Sequence, residues 1–263
     1  MKIVLLFVTP LLMFAKVHYA KVEPYESVVM KSAVSGLVTR VDLDAEGMLL
    51  STKTVIQIDD KLDRLNLRDA KKSIILYKEM LVINQKIANS LQGAFKRKKR
   101  AFERMSRIST ASQTQKDNAY SAFSSAKTQY LSTREKIITL KKQILDMQYK
   151  VASLNESIVK KSLHLEQWYL DKLLVHVGDF VAPGVALAKV SDMRRAKLVL
   201  FLEEEEFRDI KTKTIYIDGK KTEYKIDKLW KVADEKYISS YRAEIYMHAP
   251  KISFSRLVKV EIR

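Results

Sequence analysis

The sequence has 263 residues and carries 48 Lys and Arg against 31 Asp and Glu, a formal net charge of +17. It contains no Cys, which excludes disulfides, thiolate metal sites and an acylated N-terminal cysteine. Two long helical patterns take up about 100 residues, so the remaining length can build only small cores.

The first 20 residues predict an export signal. Lys2 precedes an apolar run from Ile3 to Ala15, and Val17-His18-Tyr19-Ala20 ends in a small residue before polar sequence begins. A run of about 13 apolar residues is short for a membrane span and suits a signal peptide. We expect residues 1–20 to be a leader that is cleaved after Ala20, and a retained N-terminal anchor is the alternative.

Residues 21–59 are predicted to be extended. Pro24 excludes a helix interior between Lys21 and Met30, and apolar and polar residues alternate from Ala33 to Leu43. A turn at Glu46-Gly47 leads to another strand pattern at Thr54–Ile58. This amount of β structure is too small to form a core alone.

Residues 60–160 predict an antiparallel coiled-coil hairpin. Each arm has apolar residues at alternating spacings of three and four, interrupted in the first arm by Asn84 and Lys98. The two seams are Leu67, Ala70, Ile74, Tyr77, Leu81, Asn84, Ala88, Leu91, Phe95, Lys98, Phe102 and Met105, then Ala119, Phe123, Ala126, Tyr130, Thr133, Ile137, Leu140, Ile144, Met147, Val151, Leu154 and Ile158. The short connection Ser109–Gln113 makes the arms antiparallel neighbours, each roughly 65–70 Å long at ~1.5 Å per residue.

Capping residues mark the starts of both arms. Asp59-Asp60 offers an N-cap for the first arm. For the second arm, Ser112 with Gln115 and Thr114 with Asp117 are overlapping capping-box candidates, and the sequence does not distinguish between them.

Strand patterns return in residues 161–195. They cover Trp168–Val177, Phe180–Gly184 and Val185–Val190, with a turn expected at Ser191-Asp192. Like residues 21–59, this segment lacks a core of its own. The antiparallel hairpin returns the chain to its starting point, so we expect the two segments to fold together as one split β domain.

Residues 196–263 predict a small β-barrel. Leu198–Leu202 has the pattern of a buried strand, and Glu203–Ile210 that of a short acidic helix or turn. Asp218-Gly219 is a hairpin-turn dipeptide. The remaining strand patterns are Thr214–Ile217, Thr222–Trp230, Ser240–Met247 and Leu257–Ile262.

Catalytic and metal-binding patterns are not found. None of the four histidines, His18, His164, His176 and His248, has a second ligand at helical or strand spacing. The run Glu203–Glu206 could hold a cation, but a solvated acidic turn is the favoured interpretation. We therefore predict a protein without enzyme activity, metal or cofactor.

Two stretches resemble the halves of a biotinyl/lipoyl-type domain. The first is Val34–Val38 with Glu46-Gly47, and the second is Val175–Gly184 with Leu187–Val190. Split by a coiled-coil hairpin and followed by a barrel, this arrangement resembles the periplasmic adaptor subunits of tripartite efflux pumps, also called membrane fusion proteins of the HlyD type. The fold class implied is α+β. In lipoylated carriers the modified lysine sits at a turn that the hairpin replaces here, so Lys189 is not expected to be modified.

The resemblance also implies partners and a docking site. Such adaptors form homo-oligomeric rings, often of six copies, in the periplasm beside the inner membrane, and they link a transporter of the RND type to a TolC-like outer-membrane channel. In that family an Arg, a Leu and a Ser flanking the hairpin turn contact the channel, and Arg104, Ile108 and Ser112 match them here. Ile replaces Leu, the spacing to the serine is shorter than usual, and Arg107 is the alternative to Arg104.

The sequence is also compatible with other functions. The chain could serve an ATP-driven (ABC) exporter in place of an RND transporter. The hairpin has 21 basic and 8 acidic residues between Lys61 and Ile158, so a soluble chaperone or nucleic-acid binder is an alternative from another class. We favour a solvated basic surface and expect no nucleic-acid partner, since no nucleic-acid motif accompanies the charge. The cargo cannot be predicted.

Overall fold

The computed structural model describes residues 16–207, 210–233, 240–248 and 253–263. The apolar run Ile3–Ala15, on which the predicted leader rests, lies outside these residues. The helices are α1 (Lys61–Arg107), α2 (Gln113–Lys160) and the short α3 (Glu204–Phe207). The strands are β1 (Val17–Lys31), β2 (Gly36–Val41), β3 (Leu49–Leu50), β4 (Lys53–Ile58), β5 (Ser162–Leu165), β6 (Trp168–Leu173), β7 (Phe180–Val181), β8 (Ala186–Leu202), β9 (Ile215–Ile217), β10 (Lys220–Lys221), β11 (Lys228–Ala233), β12 (Tyr241–His248) and β13 (Leu257–Ile262).

The chain divides into two compact units. One consists of Ala33–Leu37 and Gln57–Ser162 and contains the helical hairpin, and the other consists of the remaining residues. Mixed helix and strand content, with a long hairpin between strand-rich segments, confirms the α+β class.

The hairpin has the predicted antiparallel arms. α1 has 47 residues and α2 has 48, so each is about 70 Å long at ~1.5 Å per residue. The seam positions Ile137, Leu140 and Ile144 are 9% exposed or less, whereas many neighbours on the outer faces are exposed. A two-helix seam buries only a narrow stripe, so each apolar seam residue contributes a large share of the stability.

Asn84 is a polar residue in this apolar seam. It is only 7% exposed, and its amide Nδ2 donates to the carbonyl of Met80 in its own helix at 2.8 Å. Burying an amide costs free energy that a hydrogen bond within the same helix recovers only in part.

We expect Asn84→Leu to stabilise the hairpin by about 1–2 kcal/mol, measured by thermal melting at 222 nm. The exposed Asn66→Leu should change stability by less than about 0.5 kcal/mol. A lower melting temperature in the Asn84 variant would show instead that the buried amide stabilises the hairpin.

The base of the hairpin is held by an ion pair between its two ends. The Asp63 carboxylate accepts from the Lys161 ammonium at 2.9 Å and from the Ser157 hydroxyl at 2.9 Å. The Lys161 hydrogen bond lowers the pKa of Asp63 below its ordinary value of 3.8, against the opposing effect of burial, and the Ser157 hydrogen bond lowers it further. Both charged side chains are largely buried, so solvent screens this pair less than a surface pair.

This pair should make hairpin stability depend on pH. The pKa of Asp63 is lower in the folded state, so the unfolded state binds more protons as the pH falls. Its stabilisation is therefore complete above the unfolded pKa and is lost as the pH falls through the folded pKa. Asp63→Asn should lower the free energy of unfolding by about 1–2 kcal/mol at neutral pH and flatten its decline between about pH 5 and pH 2. Melting curves across that range, with Asp69→Asn at an exposed position as control, measure both effects. If the free energy of unfolding depends on pH in the same way in the wild type and in the Asp63 variant, Asp63 is not the source of this pH dependence.

The strand-rich segments form two sheets. Among the described residues one sheet contains nine strands. Seven of them follow the path β10-β9-β13-β1-β8-β12-β11, β6 pairs with β8, and β3 pairs with β6. The other has the order β5-β4-β2-β7. Alternate residues of β8 face a buried cluster that also receives side chains from β1, β9, β12 and β13. Its largest fully buried members are Leu198, Leu200, Leu202, Ile215, Ile245 and Met247.

Strand β1 joins the chain near its start to the end of the sequence. Val17–Lys21 pair antiparallel with Leu257–Glu261 of β13, and later residues of β1 pair with β8. Ala20 is 1% exposed and belongs to the buried cluster. The predicted leader thus overlaps a paired strand, and cleavage after Ala20 would remove the first four residues of β1.

Two local predictions differ from the structure. The turn expected at Ser191-Asp192 is wrong, because β8 continues through both residues. The Ser191 hydroxyl donates to Asp171 at 2.6 Å and Asp192 accepts from Arg194, so these turn-type side chains have partners within the extended strand. The strand pattern at Thr222–Trp230 begins later than expected, as β11 starts only at Lys228. The Asp218-Gly219 hairpin turn between β9 and β10 is confirmed, with both residues at positive φ.

Candidate docking site at the hairpin tip

The tip turn, Ile108–Ser112, connects the two arms of the hairpin. α1 ends at Arg107, and Ile108 leaves the helix with φ −79° and ψ 113°. Its amide donates to the Met105 carbonyl at 3.3 Å, and the Ala111 amide donates to the Ile108 carbonyl at 3.4 Å. The last carbonyls of a helix have no partners within it, so the end of α1 offers acceptors to an incoming molecule.

The start of α2 is satisfied internally by a capping box. The Ser112 hydroxyl accepts from the Gln115 amide at 3.2 Å, and the Gln115 side chain accepts from the Ser112 amide at 3.0 Å. The N-cap of α2 is therefore Ser112 and not Thr114, the other capping-box candidate in the sequence. Asp117, the alternative box residue, instead accepts from the Gln113 side chain at 2.9 Å.

Aromatic rings stack in the seam behind the tip turn. The Phe102 ring lies 5.7 Å from Phe123 and 5.4 Å from Tyr120, and the Phe95 ring lies 5.8 Å from both Phe123 and Tyr130. Each such pair adds about 0.5–1.5 kcal/mol beyond the burial of its surface. The continuous stack fixes the arms against each other in the turns that support the tip.

The three predicted docking residues lie at this end of the hairpin, and all three are exposed. Arg104 is in the last turn of α1, Ile108 caps that helix with 44% of its surface exposed, and Ser112 caps α2. No ion-pair partner for Arg104 is found among the described residues. The tip therefore presents an aliphatic side chain, a guanidinium group and a hydroxyl group to solvent.

Sequence reasoning found the tip residues but missed the stack behind them. Phe95, Phe102, Phe123 and Tyr130 are predicted seam residues, whereas Tyr120 lies outside the predicted seam, and the stacking of these rings was not predicted. Phe95 and Phe102 are seven residues apart, as are Phe123 and Tyr130, and this repeat in facing arms was the available signal.

A cluster of polar and aromatic side chains lies on the nine-stranded sheet. The buried carboxylate of Glu244 accepts from Arg242 at 2.6 Å and from the Tyr246 hydroxyl at 2.9 Å. The Arg242 guanidinium lies 5.0 Å from the centre of the Trp230 ring. Burial is the main cause that raises the pKa of Tyr246, while a hydrogen bond to Tyr246 raises the pKa of the Lys228 ammonium. These polar and aromatic groups were not singled out from the sequence.

The acidic run Glu203–Glu206 forms contacts within the strand-rich unit. Glu203 pairs with Lys16, and Glu206 lies 2.7 Å from the His18 ring. Across the part of the chain that the structure describes, no three His, Asp or Glu side chains gather into a metal-binding group. The expected lack of metal and cofactor stays an expectation.

Solved structures share this fold, whereas no family model and no curated protein matches the sequence. MacA from Actinobacillus actinomycetemcomitans matches with a TM-score of 0.70 and 15% identity, over 94% of this chain and 78% of that one. A MacA-MexA chimera with the Pseudomonas aeruginosa MexA α-hairpin domain gives 0.61 and 13%, over 95% and 81%. The membrane fusion protein Spr0693 from Streptococcus pneumoniae R6 gives 0.58 and 8%, over 95% and 99%.

The chain has the fold of a membrane fusion protein. This agrees with the resemblance drawn from the split strand segments and the hairpin. The structural likeness covers almost the whole chain, so it includes the α-hairpin as well as the sheets. Within the described residues of this membrane fusion protein fold, no helix is both long enough and apolar enough to cross a membrane.

Proposed function

We propose that this chain is a periplasmic adaptor that links an inner-membrane efflux transporter to a TolC-like outer-membrane channel, for the export of drugs or other small molecules. The observation that carries the proposal is the exposed tip turn, which is held by the Ser112 capping box on a hairpin of the membrane fusion protein fold. A structured, exposed turn with an aliphatic side chain suits end-to-end docking against other helix ends.

The chemistry of the tip supports such docking. Burial of the half-exposed Ile108 side chain would remove apolar surface from water, at about 25 cal/mol per Å². The Arg104 guanidinium can donate to unpaired carbonyls at a partner helix end. The Ser112 hydroxyl accepts from Gln115, and its own hydrogen can donate to the partner. Arg107, in the same last turn of α1, is the alternative to Arg104.

We place the transporter contact on the strand-rich segments, which we interpret as a split lipoyl-like domain (residues 21–59 and 161–195) and a small barrel (residues 196–263). An RND-type transporter is the proposed partner, and an ABC-type exporter is the alternative. Copies would form a ring, with six as the proposed number, in the periplasm beside the inner membrane. Purification of the chain with its transporter from inner membranes distinguishes the two transporter types.

The N-terminal residues serve either as a leader that is cleaved or as an anchor that is retained. Because Val17–Ala20 pair with β13 and Ala20 is buried, we favour retention of these residues over cleavage after Ala20. Residues 1–15 would then either be removed upstream of β1 or stay as an anchor.

Site-directed crosslinking tests the docking proposal. The chain has no Cys, so Ile108→Cys introduces a single reactive thiol that can carry a photoactivatable crosslinker. We expect a covalent product with an outer-membrane channel in intact cells. Tyr149→Cys, on α2 and 79% exposed, is the matched control and should give none. Absence of a product at every position from Arg104 to Gln115, with folded protein present, would overturn the proposal.

The positive charge of the hairpin favours one alternative function from a different class of protein. A soluble coiled-coil chaperone or nucleic-acid binder would use the net charge of +13 between Lys61 and Ile158. Cell fractionation separates the two proposals, because an adaptor should be recovered with the periplasm and inner membrane. Cytoplasmic recovery of the chain with an intact N-terminus would favour the chaperone.

A further inference from the structure

A row of basic residues lies on the outer face of α1 just before the tip turn. Seven of the twelve residues from Lys96 to Arg107 are Lys or Arg, and one, Glu103, is acidic. At 100° per residue, five of the seven fall within an arc of about 100°. These five, which we call the basic strip, are Lys96, Arg97, Arg100, Arg104 and Arg107, and all are exposed.

The strip faces away from the partner helix. Phe95 and Phe102, on the opposite side of the same turns, stack against Phe123 of α2. Among the described residues, the ion pair in these turns joins Lys99 to Glu103 at 3.7 Å and involves no member of the strip. The strip extends about 17 Å along the helix axis, at ~1.5 Å per residue.

Helix stability does not account for the strip. Cations in the last turn of a helix interact favourably with its dipole, which covers Arg104 and Arg107. Lys96, Arg97 and Arg100 lie farther back, where the dipole effect has faded. Like charges at spacings of three and four, such as Lys96 with Arg100, destabilise a helix by about 0.2–0.5 kcal/mol per pair. An anionic partner would convert this repulsion into attraction.

We propose that the basic strip docks a carboxylate-bearing helix of a partner protein. A single line of cations on one helix matches acidic side chains repeating at i, i+3, i+4 and i+7 on another helix. Arginine forms paired hydrogen bonds with carboxylates. A membrane surface fits less well, because the apolar side of these turns is covered by α2 and cannot insert. Single-stranded nucleic acid also fits less well, because Phe95 and Phe102 are already stacked in the seam.

Binding to defined probes tests the proposal on the full chain. The main probe is a labelled Ala-rich helical peptide with Glu at i, i+4, i+7 and i+11. A peptide with Gln at those positions, vesicles with 30% phosphatidylglycerol and a 20-base-pair DNA duplex are the comparisons. The strip variant is Lys96→Gln, Arg97→Gln and Arg100→Gln, which leaves Arg104 of the tip intact. The control variant, with the same loss of charge, is Lys136→Gln, Lys141→Gln and Lys142→Gln on exposed positions of α2.

We expect the Glu peptide to bind, the Gln peptide not to bind, and the strip variant to lose about tenfold in affinity while the control loses less than about twofold. No binding of the Glu peptide at 50 mM salt, or equal losses in both variants, would overturn the proposal. Stronger, strip-dependent binding to vesicles or DNA would overturn it in favour of phosphate ligands. Circular dichroism at 222 nm confirms that the variants keep their helices. Crosslinking from Ile108→Cys, repeated with and without the strip substitutions, reports separately on the adaptor proposal.

Discussion

A chain that begins at Lys21 is expected to be less stable than one that begins at Lys16 by about 3–5 kcal/mol. The shorter chain loses the pairing of Val17–Ala20 with β13 and the buried methyl group of Ala20. It also loses the contact between His18 and Glu206, and it exposes Val258 and Val260, both fully buried in the intact sheet. A loss of this size is a large part of the stability of an ordinary domain.

Urea unfolding followed by tryptophan fluorescence measures this difference. Both tryptophans, Trp168 and Trp230, belong to the strand-rich unit, so fluorescence reports on that unit alone. Melting of the hairpin at 222 nm should change little and serves as the internal control. If the two chains unfold at the same urea concentration, the first residues of β1 contribute nothing, and cleavage after Ala20 becomes compatible with the fold.

Ile108→Asp is expected to abolish channel docking while leaving the fold intact. A carboxylate at the contact would have to lose its water on docking, which costs several kcal/mol and corresponds to more than about 100-fold in affinity. Ile108 lies outside both helices and is half exposed, so the substitution should change hairpin stability by less than about 0.5 kcal/mol. Affinity for the channel identified by crosslinking, together with export from cells that carry only the variant, measures the effect.

The control for this experiment places the same charge elsewhere on the hairpin. Tyr149→Asp adds one carboxylate at an exposed position of α2, far from the tip turn in sequence, and should keep both affinity and export. Full affinity in the Ile108 variant would show that docking does not use the tip. Equal losses in both variants would point to a general effect of charge.

The hairpin was the most predictable part of the fold. A long coiled coil repeats one local rule, so the seam through Ile137, Leu140 and Ile144 could be predicted from spacing alone. The Ser112 capping box was one of two candidates in the sequence, because both of its partners lie within three residues of each other, and the structure distinguishes it from Thr114 with Asp117. Docking by the tip stays a prediction, since it depends on a second molecule.

Features that depend on distant residues were harder to predict. Ser191 and Asp192 have the composition of a turn, but their bonds to Asp171 and Arg194 let β8 continue through them. Tyr19 and Ala20 resemble the end of a leader, and only the pairing of this segment with β13 reveals a strand. The basic strip on α1 was not predicted, because the net charge of the hairpin does not show on which face of the helix each charged residue lies.

The capping box at the tip lowers the entropy cost of docking by the hairpin. Ser112 and Gln115 satisfy each other's backbone amides, and the aromatic stack fixes the arms behind them, so the turn is ordered before any partner arrives. A preorganised surface gives up little conformational entropy on association. Substitutions that loosen the turn, such as Gln115→Ala, which removes the acceptor of the Ser112 amide, should therefore weaken docking mainly through entropy, even though Arg104, Ile108 and Ser112 are unchanged.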